Sequence, residues 1–278
     1  MIFQRNLSLL SNRLARKGCR RIPEAVLERD YCLSWFLIGL SLSPLKDILL
    51  FKGGTCLKKC YIPDYRFSED LDFTLTEEIP FEDIQKNFDI AFKSIYQASG
   101  VKINFARYDR HTHENSHTCF FGYEGPLPGA AGKEVKVDIT IKEKVVFAVK
   151  EKFVLKGYEE YTDLPENAMI RVYSLDEITT EKIVALLDTA RNEPRDLYDL
   201  WYLAGNQRID IGGLVDAVEE KWKFRGKKLI DIKEEFQRKE ARLKKLWEIR
   251  LSSQMLALPE FEQVYREVRR EFRQAKLF

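Results

Sequence analysis

Two runs of residues, close together in the chain, have the types and spacing needed for phosphate and metal chemistry. The first reads Phe51-Lys52-Gly53-Gly54-Thr55-Cys56-Leu57, the second Arg66-Phe67-Ser68-Glu69-Asp70-Leu71-Asp72-Phe73. Gly53 and Gly54 permit close backbone approach and positive φ. Thr55 can cap a following helix and offer its hydroxyl to phosphate, and the free amides of a helix start attract anions. Asp70 and Asp72, two apart on a strand, share a face. Side by side they repel each other unless a cation sits between them. Hard carboxylate oxygens suit Mg²⁺, or Mn²⁺ in its place, together with substrate phosphates. The combination points to transfer of a nucleoside monophosphate from a nucleoside triphosphate. The plainer reading of Asp70 and Asp72 is a solvent-facing acidic edge strand.

Further candidates follow in the chain. Asp138, in the alternating run Lys136-Val137-Asp138-Ile139-Thr140, is a third carboxylate able to act as general base or to complete a second metal site. It reads equally as an exposed strand residue. Lys182 follows Asp176, Glu177 and Glu181 and reads as a surface lysine paired with a neighbouring acid. Beyond it lie Arg191, Arg195, Asp196 and Asp199. Asp196 falls in a first helical turn, where acids are favoured, so cap and salt-bridge roles suit Arg195 and Asp196. His111, His113 and His117 share one loop and read as solvated residues rather than a zinc site. Cys56 and Cys60, one turn apart, read as small buried hydrophobes.

The elements that must position these residues show in the apolar periodicity. A basic, Leu-rich segment over residues 1–22 predicts a short helix. Glu24 to Ser41 predicts a buried helix, with Pro23 at its start. Residues 47–52 predict a strand running into the Gly-Gly turn, Thr55 to Tyr61 a short helix, and Arg66 to Thr76 a strand. Pro80 to Ser99 predicts an amphipathic helix ended by Gly100. Strands are predicted over 101–108, 118–123, 133–141, 145–149 and 169–173, then helices over 175–191 and 194–205. From Gly212 on the pattern is helical and charged. The division between a mixed α/β half and a helical half falls near residue 174, giving domains 1–174 and 175–278.

Bulk properties narrow the class. The chain has 278 residues, with 46 basic and 44 acidic residues and a net charge of +2. Overall charge therefore does not advertise nucleic-acid binding, which has to come from local clusters. Such clusters occur at Lys221, Lys223, Arg225, Lys227 and Lys228, and at Arg242, Lys244, Lys245, Arg269 and Arg270, with Trp222 and Trp247 available to stack bases. Solvated helix faces with core tryptophans account for them as well. The five cysteines show no ligand pairing, which fits a reduced cytoplasmic protein. No apolar leader precedes Arg13 and Arg16, and the apolar stretch Tyr31 to Leu45 is too short and interrupted to span a membrane.

Taken in order, Leu27-Glu28-Arg29-Asp30-Tyr31, the Gly53-Gly54-Thr55 run, the Asp70-Leu71-Asp72 run, Ser174-Leu175-Asp176-Glu177-Ile178 through Lys182, and Arg195-Asp196-Leu197-Tyr198-Asp199-Leu200 resemble the AbiEii family of nucleotidyltransferase-like toxins. The resemblance covers about residues 24–205. It implies an α+β fold, a DNA-polymerase-β-like nucleotidyltransferase core with a mixed sheet followed by a helical C-terminal half. It implies Gly54 and Thr55 at the phosphates, Asp70 and Asp72 on a divalent metal, Lys182 on the nucleotide phosphates, and the Arg-Asp-x-x-Asp helix completing the pocket. Gly53, Arg66 and Ser68 join the nucleotide-binding set. The family implies a toxin of toxin–antitoxin and phage-defence systems, a nucleoside triphosphate substrate, a tRNA acceptor and a cognate antitoxin partner. One departure is Gly-Gly-Thr where many nucleotidyltransferases have Gly-Ser, and threonine keeps the hydroxyl. Two rival readings stand beside it: a non-catalytic nucleotide- or partner-binding switch, and a transferase acting on a protein hydroxyl, Ser68 being a self-target.

Overall fold

The structure is a computed structural model describing residues 1–15, 20–109, 114–129, 132–226 and 232–278. Cys19, His111, His113, Lys227 and Lys228 lie outside the described residues. Chain contacts gather the rest into two compact units, Met1–Glu143 with Val149–Val172, and Lys144–Ala148 with Tyr173–Phe278.

The first unit is a mixed α+β structure. It contains α1 (Gln4–Ala15), α2 (Glu24–Ser41), α3 (Leu45–Ile48), β1 (Leu49–Lys52), α4 (Gly53–Cys56) continuing into a π-helical turn (Leu57–Tyr61), β2 (Leu71–Leu75) and α5 (Phe81–Ser99). Then come β3 (Lys102–Tyr108), β4 (Ser116–Glu124), β5 (Glu134–Thr140), β6 (Lys150–Phe153) and β7 (Met169–Val172). Seven strands form one sheet in the order β3-β4-β5-β2-β1-β7-β6. β2 runs parallel to β5 and β1 parallel to β7; the remaining pairs are antiparallel.

Alternation decides what each face of the sheet carries. Leu71, Phe73 and Leu75 of β2, with Val135, Val137 and Ile139 of β5, are buried. Phe36 of α2 reaches them, its ring 6.3 Å from Phe73, 5.5 Å from Phe121 and 5.8 Å from Phe88 of α5. α2 is buried on nearly every side from Leu27 to Leu40, as an all-round apolar helix must be. α5 buries the expected stripe Ile84, Phe88, Ala91, Phe92 and Ile95, and Gly100 ends it at φ +74. The opposite sheet face is left to Asp72, Lys136, Asp138 and Thr140.

Three predicted elements differ, each because a side chain claims backbone that a ladder or helix needs. The strand expected from Arg66 is confined to β2: the Thr55 hydroxyl takes the carbonyl of Asp70 and the Arg66 guanidinium that of Phe67, and residues 66–70, Asp70 included, run as irregular chain. Residues 145–149 form no strand, since Glu177 accepts the amides of Val146 and Phe147 at 2.9 and 2.8 Å. The helix from Leu175 stops at Leu186, where the buried Lys239 ammonium takes the carbonyls of Leu186, Asp188 and Arg191.

The second unit is helical: α6 (Leu175–Leu186), α7 (Pro194–Gly205), a 3₁₀ turn (Gly212–Leu214), α8 (Val215–Phe224), α9 (Ile232–Leu251), a 3₁₀ turn (Ser252–Gln254) and α10 (Phe261–Gln274). Its core stacks Phe236 on Tyr265 at 4.7 Å and sets Trp247 edge-on to Phe261 at 5.5 Å.

Candidate active site

Strand register lines up the predicted carboxylates. Asp72 of β2 pairs with Lys52 of β1 on one side and with Asp138 of β5 on the other. Asp138 pairs in turn with Thr118 of β4. The row Thr118, Asp138, Asp72, Lys52 thus crosses four neighbouring strands. Asp138 uses both oxygens: Oδ1 accepts the Thr118 hydroxyl at 2.5 Å, and Oδ2 meets the Lys136 ammonium at 2.6 Å. Burial pushes the Lys136 pKa down, but its bond to Asp138 and the charges of Asp138, Asp70 and Asp72 outweigh this and hold it above the usual lysine value. The three carboxylates therefore act on one another's surroundings as a single negative field.

The Gly-Gly turn lies against this row. Gly53, at φ +80, has Asp72 Oδ2 where a side chain would be: a Cβ there would stand 2.4 Å from that oxygen. A Cβ on Gly54 would stand 2.7 Å from Arg66 Nη2 and 3.3 Å from Ser68 Oγ. The turn, the guanidinium and the Ser68 hydroxyl are in contact only because both positions lack a Cβ. Thr55 departs from expectation. Its hydroxyl is buried and donates to the carbonyl of Asp70, so its proton ties down the acidic run instead of facing a phosphate. Among the described residues no group of three or more His, Cys, Asp or Glu forms a metal site. Asp70, just before β2, and Asp72 on it offer two hard carboxylates beside the backbone clearance at Gly53, a set that fits Mg²⁺ or Mn²⁺ only with substrate phosphates completing its shell.

In the second unit, Lys182 of α6 is held by two fully buried acids of α7, at 2.9 Å from Asp196 Oδ1 and 2.7 Å from Asp199 Oδ2. Arg191 adds a 2.6 Å contact to Asp196 Oδ2. Burial alone would raise the Asp196 pKa, yet the charges and hydrogen bonds of Lys182 and Arg191 hold it below the usual carboxylate value. Asp196 and Asp199 are thus partners of Lys182, oriented by packing. Arg195 faces Glu193 at 3.6 Å.

Comparison with known proteins bears directly on this arrangement. The model of the family described as "Nucleotidyl transferase AbiEii toxin, Type IV TA system" matches residues 35–272. The chain belongs to the AbiEii family. It is a nucleotidyltransferase of the toxin kind, a class that goes with a nucleoside triphosphate substrate and an antitoxin partner. Among solved structures, this AbiEii chain is similar to MenT4, a nucleotidyltransferase toxin from Mycobacterium tuberculosis, with a TM-score of 0.67 and 16% identity over 97% of this chain and 89% of that one. The two share a fold. Compared by sequence with curated proteins, the chain finds no match.

Several sequence candidates of the AbiEii chain lie elsewhere. Lys221 is fully buried, paired with Glu177 at 2.7 Å and Glu181 at 2.6 Å, so it offers nothing to RNA. Arg225 is tied to Glu181 at 2.8 Å. Trp222 and Trp247 are core residues, and Trp247 donates to the Pro259 carbonyl at 2.9 Å. Lys244 pairs with Glu262. His117 faces the Tyr108 hydroxyl at 3.3 Å. Cys56 and Cys60 are buried thiols, as expected. Thr118 and Lys136 were not foreseen. Lys136 was visible in principle, two residues from Asp138 on an alternating strand; Thr118 depends on a pairing partner twenty residues away and leaves no local signal. Among the described residues no helix is long and apolar enough to cross a membrane.

Proposed function

We propose that this toxin transfers a nucleoside monophosphate from a nucleoside triphosphate to a hydroxyl of an RNA acceptor, tRNA foremost, with Mg²⁺ or Mn²⁺, and thereby blocks translation. The observation that carries this reading is the register of Asp72 with Asp138 beside the Cβ-free Gly53. A divalent cation held by Asp70 and Asp72 would neutralise the triphosphate and polarise its α-phosphorus. The acceptor oxygen forms the new bond to that phosphorus, the bond to pyrophosphate breaks, and the hydroxyl proton passes to Asp138. Arg66, Ser68 and the Gly53–Gly54 backbone bind phosphate oxygens, and Lys182, fixed by Asp196 and Asp199, adds a further cation. Nucleotide chemistry belongs to residues 1–174 and the helical half to 175–278.

For the acceptor, the support is a set of exposed cations. Arg242 and Lys245 lie on one face of α9, and Arg266, Arg270 and Arg273 recur at i, i+4 and i+7 along α10, all exposed. Such a stripe suits RNA phosphates. The setting is the cytoplasm, where triphosphates and tRNA are found, with an antitoxin as partner.

The test incubates purified protein with Mg²⁺, each labelled triphosphate in turn and total bacterial tRNA, beside an Asp70→Ala variant whose folding is checked by circular dichroism. Label entering tRNA with wild type alone supports the reading. Label on the protein itself transfers the case to a protein hydroxyl. Triphosphate binding without pyrophosphate release leaves a nucleotide-binding switch.

A further inference from the structure

We propose that Lys136 is a built-in counter-ion of the carboxylate row, holding Asp138 out of action until a divalent cation displaces it. The inference rests on the reading of Asp70 and Asp72 as metal ligands. On β5, side chains two apart share a face, so the Lys136 stem lies along the strand and sets its ammonium 2.6 Å from Asp138 Oδ2. Thr118 holds the other oxygen. In this state Asp138 has its charge balanced and each oxygen already holds one partner, which weakens it as a proton acceptor and as a further ligand.

What separates this lysine from the buried pairs of Lys59 and Lys182 is freedom to leave. The Lys59 side chain, paired with Asp30 at 2.8 Å, is 2% exposed. That of Lys182, between Asp196 and Asp199, is 11% exposed. The Lys136 side chain is 43% exposed and can swing to water at the cost of one partly solvated pair, which is small. Its hold is on Asp138, whose neighbour across the strand pair is Asp72. A doubly charged ion at Asp70 and Asp72 cancels most of that attraction, because like charges a few ångströms apart repel. The ammonium and the metal therefore compete for one negative field, and the competition is reciprocal. The arrangement keeps three neighbouring carboxylates compatible with a folded sheet when metal is absent, and it exposes Asp138 when metal arrives.

Competition is measured by titrating Mn²⁺ into the full chain and following the free ion by electron paramagnetic resonance. Lys136→Gln removes the competing charge and keeps a polar side chain, and it is expected to bind Mn²⁺ about tenfold more tightly than wild type. Equal or weaker binding by that variant overturns the proposal. Asp70→Asn serves as the control for the underlying reading: binding lost in Asp70→Asn places the ion at the row, whereas unchanged binding there removes the metal site and this inference with it. Raised K⁺ provides a second measurement. A monovalent ion screens both forms alike, so the wild-type to variant ratio persists at high salt if Lys136 acts by direct contact, and it collapses, against the proposal, if the effect is general surface charge.

Discussion

Gly53 presents its backbone to the carboxylate of Asp72, with Oδ2 2.4 Å from where a Cβ would be. Alanine at this position meets two obstacles. Its φ of +80 is a left-handed conformation that costs an L side chain about 1–2 kcal/mol. Its methyl also displaces the Asp72 carboxylate, which is the mobile partner in that contact. Gly53→Ala is expected to leave a folded protein with a modestly lower urea midpoint, and to lose transfer by about a hundredfold, the scale of a one-ångström misplacement. Full transfer activity in Gly53→Ala would show that Asp72 tolerates the shift and has no demanding geometric role.

Thr55 distinguishes a phosphate contact from a backbone tether. Its buried hydroxyl donates to the Asp70 carbonyl. Thr55→Val removes this hydrogen bond, at about 1 kcal/mol, whereas Thr55→Ser keeps it. The tether predicts that Val lowers stability and kcat while the KM for triphosphate stays near wild type, and that Ser restores both. A phosphate contact predicts the reverse for Val, a raised KM with unchanged stability. Steady-state kinetics and urea unfolding of the two variants decide between them.

These two residues also show how far the sequence is readable. That Gly53, Gly54 and Asp72 belong together followed from residue types, a glycine pair before a short helix and closely spaced acids, but the shared strand face expected for Asp70 and Asp72 did not hold, since Asp70 lies before β2. The helices α2, α5 and α7 followed from apolar periodicity. What could not be read was side chains spending themselves on backbone. Thr55, Glu177 and Lys239 each satisfy main-chain groups far from any pattern, and each cuts short or cancels a predicted element. The basic clusters misled for a related reason. Lys221 looks like a surface lysine in sequence, and only the burial of Glu177 and Glu181 beside it shows that it is an internal partner.

The Lys182 cluster has a structural role, separable from the functional one proposed for it. Removing the ammonium takes from the buried Asp199 its 2.7 Å ion pair, while Asp196 keeps Arg191, so Lys182→Met is expected to cost about 3–5 kcal/mol. Adding Asp199→Leu relieves the uncompensated charge and recovers much of that loss without restoring transfer. If the double variant regains activity, Lys182 serves packing alone. The same cluster shapes the acid limb. Asp196 is held below its usual pKa by Lys182 and Arg191. Its contribution is therefore complete above the unfolded value of about 3.9 and is lost as pH falls through the lower folded value. Denaturant midpoints below about pH 4 are expected to fall more gently in Asp196→Asn than in wild type; parallel acid limbs would remove Asp196 from the account.

At the alkaline end the sign reverses. Lys58 is enclosed, with its ammonium 3.2 Å from the Pro63 carbonyl, 3.1 Å from that of Tyr65 and 4.3 Å from the Phe67 ring centre. Burial lowers its pKa to about 8, against a smaller upward pull from Asp30. Unfolded lysine titrates near 10.4, so between about pH 8 and 10.4 the unfolded chain binds more protons than the folded one, and stability rises with pH by at most about 1.4 kcal/mol per unit. Lys59, also lowered by burial, acts in the same direction. Cys32, Cys56 and Cys119, whose thiols burial raises, oppose it from about pH 8.5, and Tyr158 and Tyr161, also raised by burial, from about pH 10. The urea midpoint of wild type is expected to gain on that of Lys58→Met as pH rises from about 8 to 10, the variant starting from a different value since its donors to Pro63 and Tyr65 are gone. Because those carbonyls fix the chain leading into Arg66 and Ser68, the variant is also expected to raise the KM for triphosphate across the whole range. Parallel midpoint curves with an unchanged KM would mean that Lys58 neither titrates in this window nor supports that segment.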